Sequence, residues 1–476
     1  MKMKIVVRIF SLLITAVVLN SCAPDIIPKE ANKSVPDKFI DKTDTTNAAN
    51  MVWREYFSDP NLQALIDTAL INNQELNIFS QEIEIARNEV RARKGEYLPF
   101  VDFGAGAGVD KVGRYTRNGA VEENLDIRDG EAFPEPLPDF MVGAYASWEV
   151  DIWRKLRNAK KSALTRYVGT VEGRKFMVTN LIAEIASSYY ELLALDNQLG
   201  IVVQNIDIQS NALEVVKLQK QSARVTELAV RRFEAQLLNT RSLQYEIQQK
   251  IIEAENRINF LIGGFPRPIP RDPGSFHSII PDSIYTGIPS QLLENRPDII
   301  QAELELMASN LDIKVAKANF YPRLGIKAGI GYQAFNARYL VSTPESLIYT
   351  MAGELMAPLV NRNAIKATYY SASAKQIQAV YDYERTILNA YLEVVNQMSR
   401  IKNMASAYDL KEQQVQALTE SIDISNNLFR SARADYMEVL LTQEDALESR
   451  FELVDTRMEQ MQAWVNLYRA LGGGWR

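Results

Sequence analysis

Histidine and cysteine each occur once in the 476-residue sequence, which leaves few side chains able to do covalent or metal chemistry. His277 lies in a proline-rich run, Pro266 to Pro297, with no second ligand at zinc spacing and no nucleophile arranged to use it as a base. It reads as an exposed linker residue. Gly104-Ala105-Gly106-Ala107-Gly108 has the glycine density of a nucleotide-binding loop but not its spacing, and no helix follows it. Carboxylates scattered along helical stretches read as solvated faces. The expectation is a protein that is not an enzyme and carries no cofactor or metal.

Cys22 is the exception. Lys2, Lys4 and Arg8 make a basic start, Ile9 to Leu19 is mostly apolar but too short to span a bilayer comfortably, and Leu19-Asn20-Ser21-Cys22 follows. That run resembles a bacterial lipobox, where a peptidase cuts before the cysteine and the thiol carries the lipid. Residues 1–21 are thus expected to be a lipoprotein signal peptide. An ordinary secretory signal with an incidental cysteine is the competing reading. The only cysteine standing at the cleavage position favours lipidation.

A lone cysteine also excludes an intramolecular disulfide, so stability must come from packing or assembly. The net charge of −6 and pI near 5.3 argue against a nucleic-acid partner. No later apolar run is long enough for a transmembrane helix. The chain is therefore either tethered to a membrane or crosses one by strands.

The elements come next. Residues 22–58 are polar with scattered prolines and read as a flexible tether. Asp59-Pro60 opens a helix, with an acceptor at the cap and proline in the first turn, and the pattern runs to about Lys94. Phe140 to Phe265 lacks proline, and Leu359 to Leu471 lacks both proline and glycine. Such long uninterrupted patterns indicate coiled coil. Leu181, Ile185, Ser188, Leu192, Leu195, Leu199, Val202 and Ile206 alternate steps of four and three, as do Val415, Leu418, Ile422, Ser425 and Phe429. Echoed motifs divide the chain into two similar halves, 59–262 and 297–471, around a proline-rich linker, 263–296, with a tail at 472–476. Arg-Asn-Ala recurs at 157–159 and 362–364, and Ser-Ala-Arg at 222–224 and 431–433. Turns near 222–226 and 431–435 would split each half's helical stretch into a longer and a shorter helix.

Four segments have period two instead, at about 98–110, 140–152, 323–334 and 346–357, and such alternation marks membrane strands. A small soluble sheet packed on the helices is the other reading of the pattern. Four strands cannot close a barrel, whereas two chains would supply eight and three would supply twelve. The long helices favour the wider ring. A lipid-anchored coiled-coil scaffold without a pore accounts for the helices and Cys22 but not for the strands.

Several motifs then match a known family. Arg296-Pro297-Asp298-Ile299, Ala302-Glu303, Ala316-Lys317-Ala318 and Tyr321-Pro322 resemble a signature of TolC-type outer-membrane factors, in the lipoprotein branch of OprM-like and NodT-like proteins. Ser147 to Trp153 resembles the family's strand-to-helix transition, and Leu471-Gly472-Gly473-Gly474-Trp475 its C-terminal ending. The resemblance implies a homotrimer in the cell outer membrane, with a twelve-stranded barrel above a helical tunnel in the periplasm. Its implied partners are a periplasmic adaptor and an inner-membrane pump of the resistance-nodulation-division class, with the channel a passive exit duct. The resemblance also implies adaptor contact at the hairpin tips, Ser222, Ala223, Arg224, Val225 and Thr226 in the first and Ser431, Ala432, Ala434 and Asp435 in the second. It implies an acidic gate, which Glu438 matches and Leu441 does not, with Arg430 and Arg433 placed to offset the charge. The family's glycines after the strand-to-helix junctions are replaced here by Arg154 and Arg362. Its tip glycines are replaced by Ala223-Arg224 and Ala432-Arg433, which leaves the turn geometry open.

Overall fold

A computed structural model of the chain describes residues 24–39, 47–277, 286–358, 360, 362–431 and 433–475. Cys22 and Ala432, singled out above, lie outside the described residues. The fold is mainly helical with one four-stranded sheet, and the chain divides into two compact units.

The first unit holds the sheet. Strands β1 (Phe100–Asp110), β2 (Leu137–Val150), β3 (Arg323–Ala334) and β4 (Leu347–Met356) lie side by side in that order, every pair antiparallel. β2 comes from the first half of the sequence and β3 from the second, so their pairing joins the two repeats. The loop from β1 to β2 contains a helix, Arg117–Asn124, capped by the Thr116 hydroxyl, and a two-stranded hairpin. Helix α5 (Pro297–Ala318) leads toward the sheet, and Ile313, Ala316 and Phe320 pack on the fully buried Tyr369.

Four helices make the coiled coil: α3 (Lys155–Gln221, 67 residues), α4 (Glu227–Leu261, 35 residues), α6 (Asn363–Arg430, 68 residues) and α7 (Tyr436–Ala470, 35 residues). The near-equal lengths across the two halves carry the tandem repeat into the fold. At ~1.5 Å per residue α3 alone is about 100 Å long. In the second unit its four-three seam is the buried face: Leu181, Ile185, Ser188, Leu192, Leu195 and Val202 are all buried. Beside it Tyr56 stacks on both Trp464 and Tyr468, with ring centroids 4.1 Å apart in each pair.

Two elements differ from the sequence reading. The helix opened by Asp59-Pro60 is two helices, α1 (Pro60–Asn72) and α2 (Gln74–Tyr97). Asn73 breaks the run because its side chain has better work outside it: the amide accepts from the Leu76 N–H at 3.0 Å and donates to the Leu261 carbonyl at 2.8 Å. The stretch read as a flexible tether is instead held in place over much of its described length. In the first unit the Lys29 N–H donates to Gln376 Oε1, and Gln376 Nε2 donates back to the Lys29 carbonyl. In the second unit the Asn32 N–H donates to Glu384, and buried Phe39 stacks on Tyr391. These partners lie some 350 residues away in sequence, so no local pattern announces them.

Candidate channel wall and hairpin ends

The sheet register sorts its side chains by face. Three cross-strand rows run Val101–Ala146–Ala328–Met351, Phe103–Ala144–Ile330–Tyr349 and Ala105–Val142–Tyr332–Leu347. This face carries no charged residue, yet Val101, Phe103, Ile330, Tyr349 and Met351 are each at least 60% exposed. A broad apolar surface left open in this way needs an apolar solvent or partner. The other face holds Asp102, Asp110, Glu149, Lys327 and Glu354, and Lys327 pairs with Glu354 across the strands at 3.4 Å.

Glycine lets the sheet lie close on that polar face. Gly104, Gly143 and Gly331 stand in one row, and a Cβ on Gly331 would meet the Val142 carbonyl oxygen at 2.4 Å. The Tyr145 ring fills the space, against Gly104 and Gly329. Among the described residues β1 and β4 each have a partner on one side only, so the sheet ends in two open edges.

At the strand bases Trp148 donates its indole N–H to the Tyr97 carbonyl at 3.1 Å. Trp153 donates to the Pro322 carbonyl at 2.8 Å while stacking on Tyr321. β2 passes into α3 through Asp151, whose buried carboxylate accepts from the Leu156 and Arg157 N–H groups and from the Arg157 side chain. Arg154 sits between them at φ 58°, so a non-glycine residue adopts a left-handed conformation at this junction.

The hairpin ends lie in the second unit. α3 stops in a Schellman ending: Ala223 has φ 56°, its N–H donates to the Lys220 carbonyl and the Arg224 N–H to the Gln219 carbonyl, both at 2.9 Å. The second hairpin repeats the outer bond, Arg433 N–H to the Leu428 carbonyl at 2.9 Å. Ser222 and Ser431 each turn the hydroxyl back to donate to a last-turn carbonyl. The restart differs, since Thr226 caps α4 through its side chain and Asp435 makes no such cap on α7. Ser222, Ala223, Arg224 and Thr226 are exposed, and so are Ser431, Arg433 and Asp435; Val225 and Ala434 are half-buried. Lys220 reaches across the first tip to Glu227, and its hydrogen bond holds that carboxyl below the ordinary range.

Glu438 is exposed in the first turn of α7. Among the described residues Glu438 makes no direct ion pair with Arg430 or Arg433. All three residues are exposed at this end. Farther along, α6 and α7 are joined by Lys411–Glu452 at 3.0 Å and Arg400–Glu459 at 3.1 Å. Gln198 Nε2 on α3 donates to Asp455 at 2.8 Å, and burial pushes the Asp455 carboxyl above its usual range. The sequence reading passed over Asp455 and the buried amide of Gln443, because neither sits in a recognisable motif.

Among the described residues no cluster of histidine, cysteine and carboxylates could hold a metal ion, and no helix is long and apolar enough to cross a membrane. A family model described as "Outer membrane efflux protein" matches residues 65–264 and 288–473, one segment in each half. The chain is similar to the pyoverdine export outer membrane protein OpmQ of Pseudomonas aeruginosa, 26% identical over 98% of this chain and 97% of that protein. It is also similar to the cation efflux system protein CusC of Escherichia coli, 25% identical over 97% of each chain. A solved membrane protein from Pseudomonas aeruginosa shares the fold, with a TM-score of 0.84 at 22% identity, covering 94% of this chain and 99% of that one.

Proposed function

The chain belongs to the outer membrane efflux protein family and is a channel subunit of an efflux system in the outer membrane, and from that premise we propose that three copies close one barrel. The observation that carries the proposal is the sheet: four strands, two open edges and a charge-free exposed face. An open edge in lipid leaves unpaired backbone groups, each costing several kcal/mol. Joining β4 of one copy to β1 of the next removes both edges. Two copies would give eight strands and three would give twelve; the long helices that must continue the wall favour twelve. Native mass spectrometry of the full-length protein in detergent tests this. A trimer is expected, and a stable monomer or dimer would contradict it.

The remaining assignments follow the same reading. Residues 59–262 and 297–471 are the two repeats of the channel, separated by the 263–296 linker. Cys22 carries a lipid that anchors the mature chain, readable by mass spectrometry of its N-terminus. The tips at Ser222–Thr226 and at Ser431, Ala434 and Asp435 meet a periplasmic adaptor, which couples the duct to an inner-membrane pump of the resistance-nodulation-division class. Glu438 is the gate carboxylate. Its exposure, with no cation paired to it among the described residues, supports that role, because three such groups would gather where copies converge.

A further inference from the structure

A cavity of about 250 Å³ lies among the ends of α3, α4, α6 and α7, within the second unit. Its walls are apolar: Val216, Phe233 and Val439 are almost fully buried, and Phe429 packs on the same cluster. Four polar side chains interrupt them, Asn211, Asn426, Arg430 and Gln443, and of these Gln443 alone is buried. Gln443 is 2% exposed and lines the cavity, yet neither its amide nitrogen nor its amide oxygen has a hydrogen-bond partner among the described residues. A buried amide in that state is costly unless something in the cavity satisfies it. At the rim, Arg430 lines the same space and has no carboxylate partner among the described residues.

A largely apolar slot with one buried, unpaired amide and a guanidinium at its rim specifies its ligand. The guanidinium matches a carboxylate, whose two oxygens fit its fork. Phenylalanine walls match an aromatic ring. The Gln443 amide matches a hydroxyl, which donates and accepts at once. The volume falls below the range of about 300–1,000 Å³ that suits drug-sized molecules, which restricts the occupant to a single ring. We propose that this cavity is a binding site for a small hydroxylated aromatic carboxylate, with the ring against Phe233 and Phe429, the carboxylate on Arg430 and the hydroxyl at Gln443. The site goes beyond the channel assignment and does not depend on the number of copies. Its occupant touches both hairpins at once, so it ties α3 and α4 to α6 and α7.

The test is equilibrium dialysis of 4-hydroxybenzoate and 4-hydroxybenzamide against the full-length protein in detergent. The expected result is saturable binding of the benzoate, one per chain, at least about tenfold tighter than the benzamide. Arg430→Met should bring the two ligands to near-equal affinity, and Gln443→Leu should weaken both. Arg241→Met, an exposed change elsewhere on α4, should alter neither. Arg430 is exposed, so its replacement leaves the packing intact, and native mass spectrometry of each variant checks its assembly. Absence of saturable benzoate binding would overturn the proposal, since it means the cavity holds only water. A benzoate preference that survives Arg430→Met in an assembled protein would overturn it equally.

Discussion

Replacing Ala223 by glycine should tighten the first hairpin tip. Ala223 stands at φ 56° in the Schellman ending of α3, a conformation in which an L side chain costs ~1–2 kcal/mol. Its methyl group is exposed, so removing it forfeits little packing. Glycine removes the steric cost but returns ~0.5–1 kcal/mol of backbone freedom to the open state. The balance favours glycine by ~0.5–1 kcal/mol. Since about 1.4 kcal/mol is a factor of ten, local opening should become ~2- to 5-fold rarer. Hydrogen exchange of the native protein reads this directly, in peptides spanning residues 214–232, where the slowing should be ~2- to 5-fold with no change in the sheet. Ala223→Val should act in the opposite direction, because a β-branched residue tolerates positive φ least. Unchanged or faster exchange in the glycine variant would refute the claim that this turn stores strain.

Three further outcomes are expected. Gly331→Ala should lower the heat resistance of the assembled protein on electrophoresis, by the ~1–3 kcal/mol typical of overpacking, whereas Gly106→Ala, with open space at its Cβ, should not. Glu438→Ala should change conductance or cation selectivity in planar bilayers, more at low salt than at high, because screening weakens the effect of a gathered carboxylate. Asp455 has a folded-state pKa raised by burial, so the folded chain takes up its proton first and this group's penalty falls as pH drops through the raised value toward the ordinary one. Asp455→Asn should therefore raise the thermal midpoint near neutrality, with an advantage over the wild type that narrows as the medium is acidified.

What was legible in the sequence was what repeats locally. The four-three spacing from Leu181 to Ile206 announced a buried seam, because burial of one helix face recurs at every turn. The alternation from Val101 to Val109 announced a strand for the same reason. Asp59-Pro60 worked through two adjacent residues, and Ser-Ala-Arg through its recurrence. What stayed hidden depends on single distant partners. Gln376 and Glu384 hold the N-terminal stretch by bonds that no periodicity marks, and Asn73 breaks a helix for the sake of the Leu261 carbonyl. Arg154 and Ala223 were read as departures from a glycine pattern. The backbone keeps the turn at both, since the surrounding hydrogen bonds outweigh a cost of ~1–2 kcal/mol. Gln443 and Asp455 lie on helices whose sequence gives no hint of the cavity or the buried bond beside them.

The apolar face of the sheet is also a ruler. From Val101 to Val109 on β1 it runs ~27 Å along the strand, and from Leu324 to Ala334 on β3 ~34 Å, at a rise of ~3.4 Å per residue. With the tilt of about 40° usual for membrane barrels, these lengths project to a hydrophobic belt roughly 20–26 Å tall. A bilayer with a hydrocarbon core of ~30 Å would have to thin by several ångströms all round the barrel, at a fraction of a kcal/mol for each. The bacterial outer membrane is thinner than average and demands less of that deformation. Strand length thus works as an address label written in thickness, and short-chain lipids should seat the protein more readily than long-chain ones.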